Sequence, residues 1–346
     1  MRVREAKERA RQWVRETGAL TAGFQGAYLA GSVNWMQDDD ELPASSDVDV
    51  MVVVRGDAPA AKLGKFIFRG ALLEVSYLPK TRIASARTVL DDYHLAAGIS
   101  TTTILLDPSG DLAALQLQVA RDYAKRDWVR RRCDQAGQNV LRWVEASGPE
   151  TSLHDRVTHC LFAAGVTTHV LLVAGLRNPT VRDRYSAVRE VLRDHGRLDF
   201  YESFLRVLGA SEMDRKRATA HLQTVREMFD AAVLVMETPF PFAADISEAG
   251  RPAAIGGSEA LIASGNHREA LFWIAATAAR CRGVLERDAS REDRARFDPP
   301  FRALLDDLGI GSESDRRARR EEVRAFLPRV QDVAEAIMTA SPDVSD

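Results

Sequence analysis

The chain has 346 residues, 45% of them hydrophobic, 28% charged and 7% aromatic, a globular balance that excludes a disordered, collagen-like or disulfide-scaffold protein. At about 150 residues per domain, the length points to two domains. With 47 basic and 50 acidic residues the net charge is −3, so no global positive field gathers polyanions, and duplex nucleic acid is not the expected partner.

The charged N-terminus lacks the apolar segment of a signal peptide. Val3, Ala6, Ala10, Trp13 and Val14 recur at helical spacing, which predicts an amphipathic helix ending near Gly18. Phe24 to Ala30 reads as a strand closed by Gly31-Ser32. After the polar loop 36–43, Asp47 to Val54 reads as a second strand. Residues 65–68 and 71–78 flank Arg69-Gly70 at hairpin spacing, and the second arm carries Glu74. A helix around 83–97, a strand at 103–106 stopped by Asp107-Pro-Ser-Gly110, and a helix at 112–124 complete a small α+β unit over residues 1–125.

From 126 to 346 the strand signals disappear. Helical periodicity covers 138–144, 154–174, 181–194, 214–236, 258–285 and 321–338, which predicts a mostly α-helical second domain on the substrate, acceptor or dimer side. Residues 239–252 form a Pro- and Gly-punctuated interruption, 287–300 reads as a charged linker and 341–346 as a disordered tail. The longest apolar run, around Val170 to Ala174, reads as too short and too broken to cross a bilayer. Cys133, Cys160 and Cys281 form no CxxC pair, the pattern of a reducing compartment rather than of a disulfide framework or zinc site. The expected location is the cytoplasm.

The chemistry concentrates in the first unit. Asp47 and Asp49 stand two apart in a strand, so both carboxylates project from one face while Val48 and Val50 turn to the core. Glu74 joins that face if the hairpin lies beside the Asp47–Asp49 strand. Three clustered carboxylates repel one another unless a cation neutralises them, and hard oxygen donors suit Mg²⁺, which is bound by one or two carboxylates together with substrate phosphates. Gly31-Ser32 supplies a backbone that approaches phosphate closely and a hydroxyl to bond it. Taken singly, a Gly-Ser pair is common in any chain and an Asp-x-Asp strand can be a solvated edge; their order on consecutive strands is what gives them weight.

This set, Leu29-Ala-Gly31-Ser32, then Ser46-Asp47-Val-Asp49-Val, then Glu74, resembles the nucleotidyltransferase superfamily that includes DNA polymerase β. Within it, the chain looks most like the kanamycin and lincosamide type, in which a mixed-sheet domain is followed by a helical one. The specific motifs lie in about the first 110 residues. The resemblance implies a Mg²⁺-dependent enzyme that moves a nucleoside monophosphate from an NTP, with ATP the favoured donor, to a hydroxyl of a small molecule such as an antibiotic, releasing pyrophosphate. It implies Asp47 and Asp49 as metal ligands, Glu74 as a third ligand or general base, and Gly31, Ser32 and Ser46 as triphosphate contacts; it also allows a homodimer. Asp107 to Gly110 is similar to the same enzymes. Nucleotidylation of a protein or tRNA, or a catalytically silent nucleotide-binding protein, is the competing reading.

Two departures stand out. Fourteen residues separate Ser32 from Asp47, the excess lying in Asp38 to Glu41, which reads as an insertion or a contact for a cationic substrate. Asn34 and Trp35 stand where an arginine often follows in kanamycin-type enzymes, leaving Arg55, Lys62 and Lys65 as available cations, none of them singled out. Asp245, Glu248 and Arg251 in the long interruption are candidates for the acceptor side, against a plain capping role. No histidine pair has metal spacing. His154 and His159 read as packed or surface residues, His94 and His267 as capping or surface residues, and Arg177-Asn-Pro179 as a helix stop.

Overall fold

In a computed structural model of the chain, which describes residues 1–59, 63–148, 150–240 and 242–346, a sheet-bearing N-terminal part abuts a helical C-terminal part. Lys62 lies outside the described residues. The sheet holds five strands, β1 (Phe24–Ala30), β2 (Val48–Val54), β3 (Gly64–Phe68), β4 (Ala71–Pro79) and β5 (Ile104–Leu106), in the order β3-β4-β2-β1-β5. β2 and β4 run parallel and the other neighbours antiparallel, so the sheet is mixed.

Alternation along the strands divides this part into two cores. Ala27, Leu29, Val48, Val50, Val52, Leu73 and Val75 pack on one face against helix α1 (Val3–Glu16), whose buried stripe is Val3, Ala6, Ala10, Trp13 and Val14. Tyr28, Val53 and Leu78 face the other way, onto α2 (Ala86–Leu90), α3 (Tyr93–Ser100) and α4 (Asp111–Asp122). Asp49 and Glu74 alternate with the α1-facing residues and so share this second face.

The helix expected at 83–97 is broken. Ser85 caps α2, its hydroxyl accepting from Thr88 N at 3.1 Å, and Asp92 caps α3, accepting from the backbone N–H groups of His94 and Leu95 at 3.0 Å. The acidic loop 38–41 is tied to α1: Asp38 pairs with Lys7 at 2.7 Å, Asp39 with Arg4, and the carbonyls of Asp40 and Asp38 accept the first helical N–H groups, of Val3 and Arg4, at 3.0 Å. Asn34 braces the strand ends, donating to Leu29 O at 2.7 Å and accepting from Thr103 N at 3.1 Å.

The C-terminal part comprises α5 (Arg126–Glu145), α6 (Leu153–Ala174), α7 (Arg184–Asp194), α8 (Tyr201–Leu208), α9 (Arg215–Val235), α10 (Gly257–Ala263), α11 (Leu271–Asp288), α12 (Arg291–Arg296), α13 (Asp298–Asp307) and α14 (Glu313–Ala340) around one continuous apolar cluster. α6 is long and apolar enough to cross a membrane, but it lies at the centre of this cluster, with 83% of its most apolar 18-residue window buried. The helix expected over 258–285 is split at Gly265, which has φ +88°. The stretch expected as a linker at 287–300 holds α12, capped by the Ser290 hydroxyl, and the start of α13. Nor is the tail disordered: Ser345 O accepts from Arg126 N at 2.7 Å, Ser345 N donates to Ala124 O at 3.0 Å, and Val344 is buried. All three cysteines are buried and unpaired.

Candidate active site

A cleft of about 490 Å³ opens between the second face of the sheet and the helical part. Its sheet wall begins where β1 ends. Gly31 has φ +68° and ψ −161°, a combination essentially restricted to glycine, and a Cβ there would lie 1.8 Å from Asp49 Oδ2. The missing side chain is what lets the chain turn directly against the Asp49 carboxylate. Ser32 opens a short 3₁₀ turn, and it lines the cleft with Ser46 and Trp35.

Strand register assembles the rest. Ala30 faces Asp49, Asp49 faces Glu74 and Glu74 faces Lys65, a single row across β1, β2, β4 and β3. Because residues in register project to one side, the parallel pairing of β2 with β4 is the step that brings Glu74 beside the Asp47–Asp49 pair. Ligand oxygens of Asp47, Asp49 and Glu74 lie within 4.8 Å of one another, and all three residues are half-buried. That donor set fits a hard divalent cation such as Mg²⁺.

Lys65 shares the cluster. Its ammonium donates to Asp47 Oδ2 and Glu74 Oε2 and lies 3.6 Å from Asp245 Oδ1, with only 6% of the side chain exposed. Burial pulls its pKa down, but Asp47, Glu74 and Asp245 outweigh that and hold it above lysine's usual value, so the ammonium stays charged.

The opposite wall is aromatic and cationic. Arg280 on α11 donates to Asp245 Oδ2 at 2.9 Å and lies 4.4 Å from the Phe242 ring centroid and 5.0 Å from that of Trp273. Arg182 lies 5.2 Å from the Trp273 ring and donates to Ala253 O in a π-helical turn at Pro252–Gly256. Burial lowers the pKa of both guanidiniums, but they start so far above neutrality that they keep their charge. The floor includes His94, whose ring is open to the cleft and lies 5.4 Å from that of the buried His169.

Of the residues expected at the site, Gly31, Ser32, Ser46, Asp47, Asp49, Glu74 and Asp245 line this one cleft. Glu248 and Arg251 are not among its lining residues, and Arg251 pairs with Asp230 at 3.0 Å. Asp107 caps α4 through Ala113 N at 2.9 Å. Sequence reasoning missed the roles of Lys65, Arg182, Arg280 and His94, and it took Asn178-Pro179, which line the cleft, for a helix stop. For Lys65 a signal existed: a two-residue turn at 69–70 pairs 68 with 71, and therefore 65 with 74. For the two arginines none did, because only helix packing brings them to the sheet.

No family model and no curated protein matches the chain. Among solved structures it is similar to a nucleotidyltransferase-like protein from Exiguobacterium sibiricum, at 14% identity and a TM-score of 0.31, over 75% of this chain and 91% of that one.

Proposed function

We propose that the protein is a Mg²⁺-dependent nucleotidyltransferase that moves a nucleoside monophosphate from an NTP, ATP being the favoured donor, to a hydroxyl group of a small molecule. The observation that supports this reading is the cluster of Asp47, Asp49 and Glu74 packed against the Gly31-Ser32 turn on one wall of a cleft. Asp47 and Asp49 would hold the cation, with Glu74 a third ligand or the general base. When bound, the cation would neutralise the carboxylates and polarise the phosphate oxygens for an in-line displacement at phosphorus.

The protein's own groups supply the remaining steps. Ser32, Ser46 and the backbone at Gly31 hydrogen-bond the triphosphate, and Arg182 and Arg280 bring positive charge from the opposite wall. As general base, Glu74 would take the proton of the acceptor hydroxyl, whose oxygen would form a bond to the α-phosphorus as the bond to pyrophosphate breaks. The aromatic wall of Phe242 and Trp273 offers flat apolar surface to an acceptor, and the cleft has the volume of a small-molecule site. An antibiotic is the acceptor class that the sequence resemblance implies.

Calorimetric titration of ATP, GTP, CTP and UTP, each with and without Mg²⁺, into the wild type and the Asp47→Asn/Asp49→Asn variant tests the reading. Binding of one nucleotide should require Mg²⁺ and disappear in the double variant. Metal-independent binding, or equal binding by both proteins, would refute it.

A further inference from the structure

The row that ends in Lys65 carries an inference that deepens the proposed function and rests on it. Lys65 is not a surface lysine that happens to reach a carboxylate. The β3–β4 register sets it directly opposite Glu74, and its side chain is almost fully enclosed. Its ammonium takes one oxygen from Asp47 and one from Glu74, two of the three groups that form the candidate cation site. An ammonium and a divalent ion that draw on the same two carboxylates compete for their lone pairs, and at close range their like charges repel.

The surroundings also provide a place for the ammonium to go. Asp245 lies beyond the cluster, 3.6 Å from Lys65 Nζ, and is anchored from behind by Arg280 at 2.9 Å. One glycine makes its approach to β3 possible and another lets its own loop fold tightly. Gly64 has φ +70°, and a Cβ on it would lie 2.3 Å from Ala244 Cβ; a Cβ on Gly250 would lie 2.6 Å from Asp245 O. The 243–245 turn thus seats against the residue preceding Lys65 and presents a carboxylate to its ammonium.

We propose that Lys65 is a tethered counter-cation: its ammonium holds the carboxylate cluster together before the divalent cation binds, and the cation enters by displacing it from Asp47 and Glu74 toward Asp245. The sheet then does not carry three mutually repelling carboxylates in the metal-free protein, and cation affinity is set by competition with an internal group. The Asp245–Arg280 pair ties that competition to the helical wall of the cleft, so loading of the metal site is felt where the other substrate would bind.

The test is Mn²⁺ binding to the full-length protein without nucleotide, followed by electron paramagnetic resonance. Lys65→Met should bind Mn²⁺ at least tenfold more tightly than wild type, and this binding should be lost when Asp49→Asn is added. Arg69→Met removes a cation from the same hairpin, where Arg69 pairs with Glu16 and does not line the cleft, so it serves as the control for net charge and should stay within about threefold of wild type, a factor worth roughly 0.7 kcal/mol. If Lys65→Met does not fold without metal, Lys65→Gln replaces it, keeping hydrogen-bond donors without the charge. Affinity in the Lys65 variants equal to or weaker than wild type, or an equal gain in Arg69→Met, would overturn the proposal while leaving the nucleotidyltransferase reading standing, provided that wild-type binding is lost in Asp49→Asn. No Mn²⁺ binding by either wild type or the Lys65 variants would overturn both.

Discussion

At Gly31 the backbone and the chemistry make the same demand. Positive φ excludes most side chains, and a Cβ 1.8 Å from Asp49 Oδ2 would drive that carboxylate out of the cluster. The backbone strain alone is worth about 1–3 kcal/mol. Gly31→Ala should therefore fold with a modestly lowered melting temperature, yet lose at least tenfold in Mg²⁺-dependent nucleotide affinity. Circular dichroism melts and calorimetry on the same preparation check the two parts separately, and an affinity unchanged in the variant would mean that Asp49 does not need its present position. The same reasoning distinguishes Ser32 from Asn34, two residues further on: Ser32 faces the cleft, whereas Asn34 spends both ends of its amide tying β1 to the residue before β5.

Between elements, satisfaction of helix ends decides what looks like loop. α1 has its first N–H groups taken by carbonyls of the 38–41 loop, whose acidic side chains also face Arg4 and Lys7, so a run that resembles a substrate contact is spent on the helix start. The chain's end does the same for α5. Lys125 provides no side-chain cap, and Arg126 N instead finds Ser345 O, with Val344 buried beside it. Deleting residues 341–346 should cost about 1–2 kcal/mol from the lost hydrogen bonds and apolar burial. The expected result is a fall of a few degrees in the melting midpoint with nucleotide binding unchanged, and an unaltered midpoint would show the tail to be undocked in solution.

Across the whole molecule, a buried histidine couples stability to pH. His169 lies in the helical core with Nε2 donating to Thr180 O at 3.0 Å and Nδ1 facing the Tyr93 hydroxyl at 3.3 Å. Burial, then the charge of Arg184, holds it well below the usual imidazole pKa. It is neutral when folded, whereas the unfolded chain takes up a proton below about pH 6.5, so it binds more protons than the native state there. Stability should be level above about pH 7 and fall as pH drops from about 6.5 toward 5, with a limiting slope for each fully shifted group of about 1.4 kcal/mol per pH unit. Thermal melts across that range should show the fall, and His169→Gln should reduce its slope; an unchanged slope would place the cause elsewhere.

The sequence by itself determined the strand set, the shared face of Asp47 and Asp49, the hairpin that carries Glu74 and the change to helix after residue 125, because each depends on periodicities of two or 3.6 residues and on local turn chemistry. It also marked Gly31, since a glycine between a strand and a serine turn is readable locally. The parallel pairing of β2 with β4, and so the meeting of Glu74 with Asp49, follows from no local pattern, because register between non-adjacent strands is decided by burial of the whole sheet. The second wall was decided by tertiary structure alone. Arg182, Phe242 and the α11 residues Trp273 and Arg280 come from three separate parts of the chain, and they reach one cleft because helix packing carries them to the sheet. The split of 258–285 at Gly265 and the docking of the tail are tertiary outcomes as well, in which burial and end satisfaction overrode the local pattern.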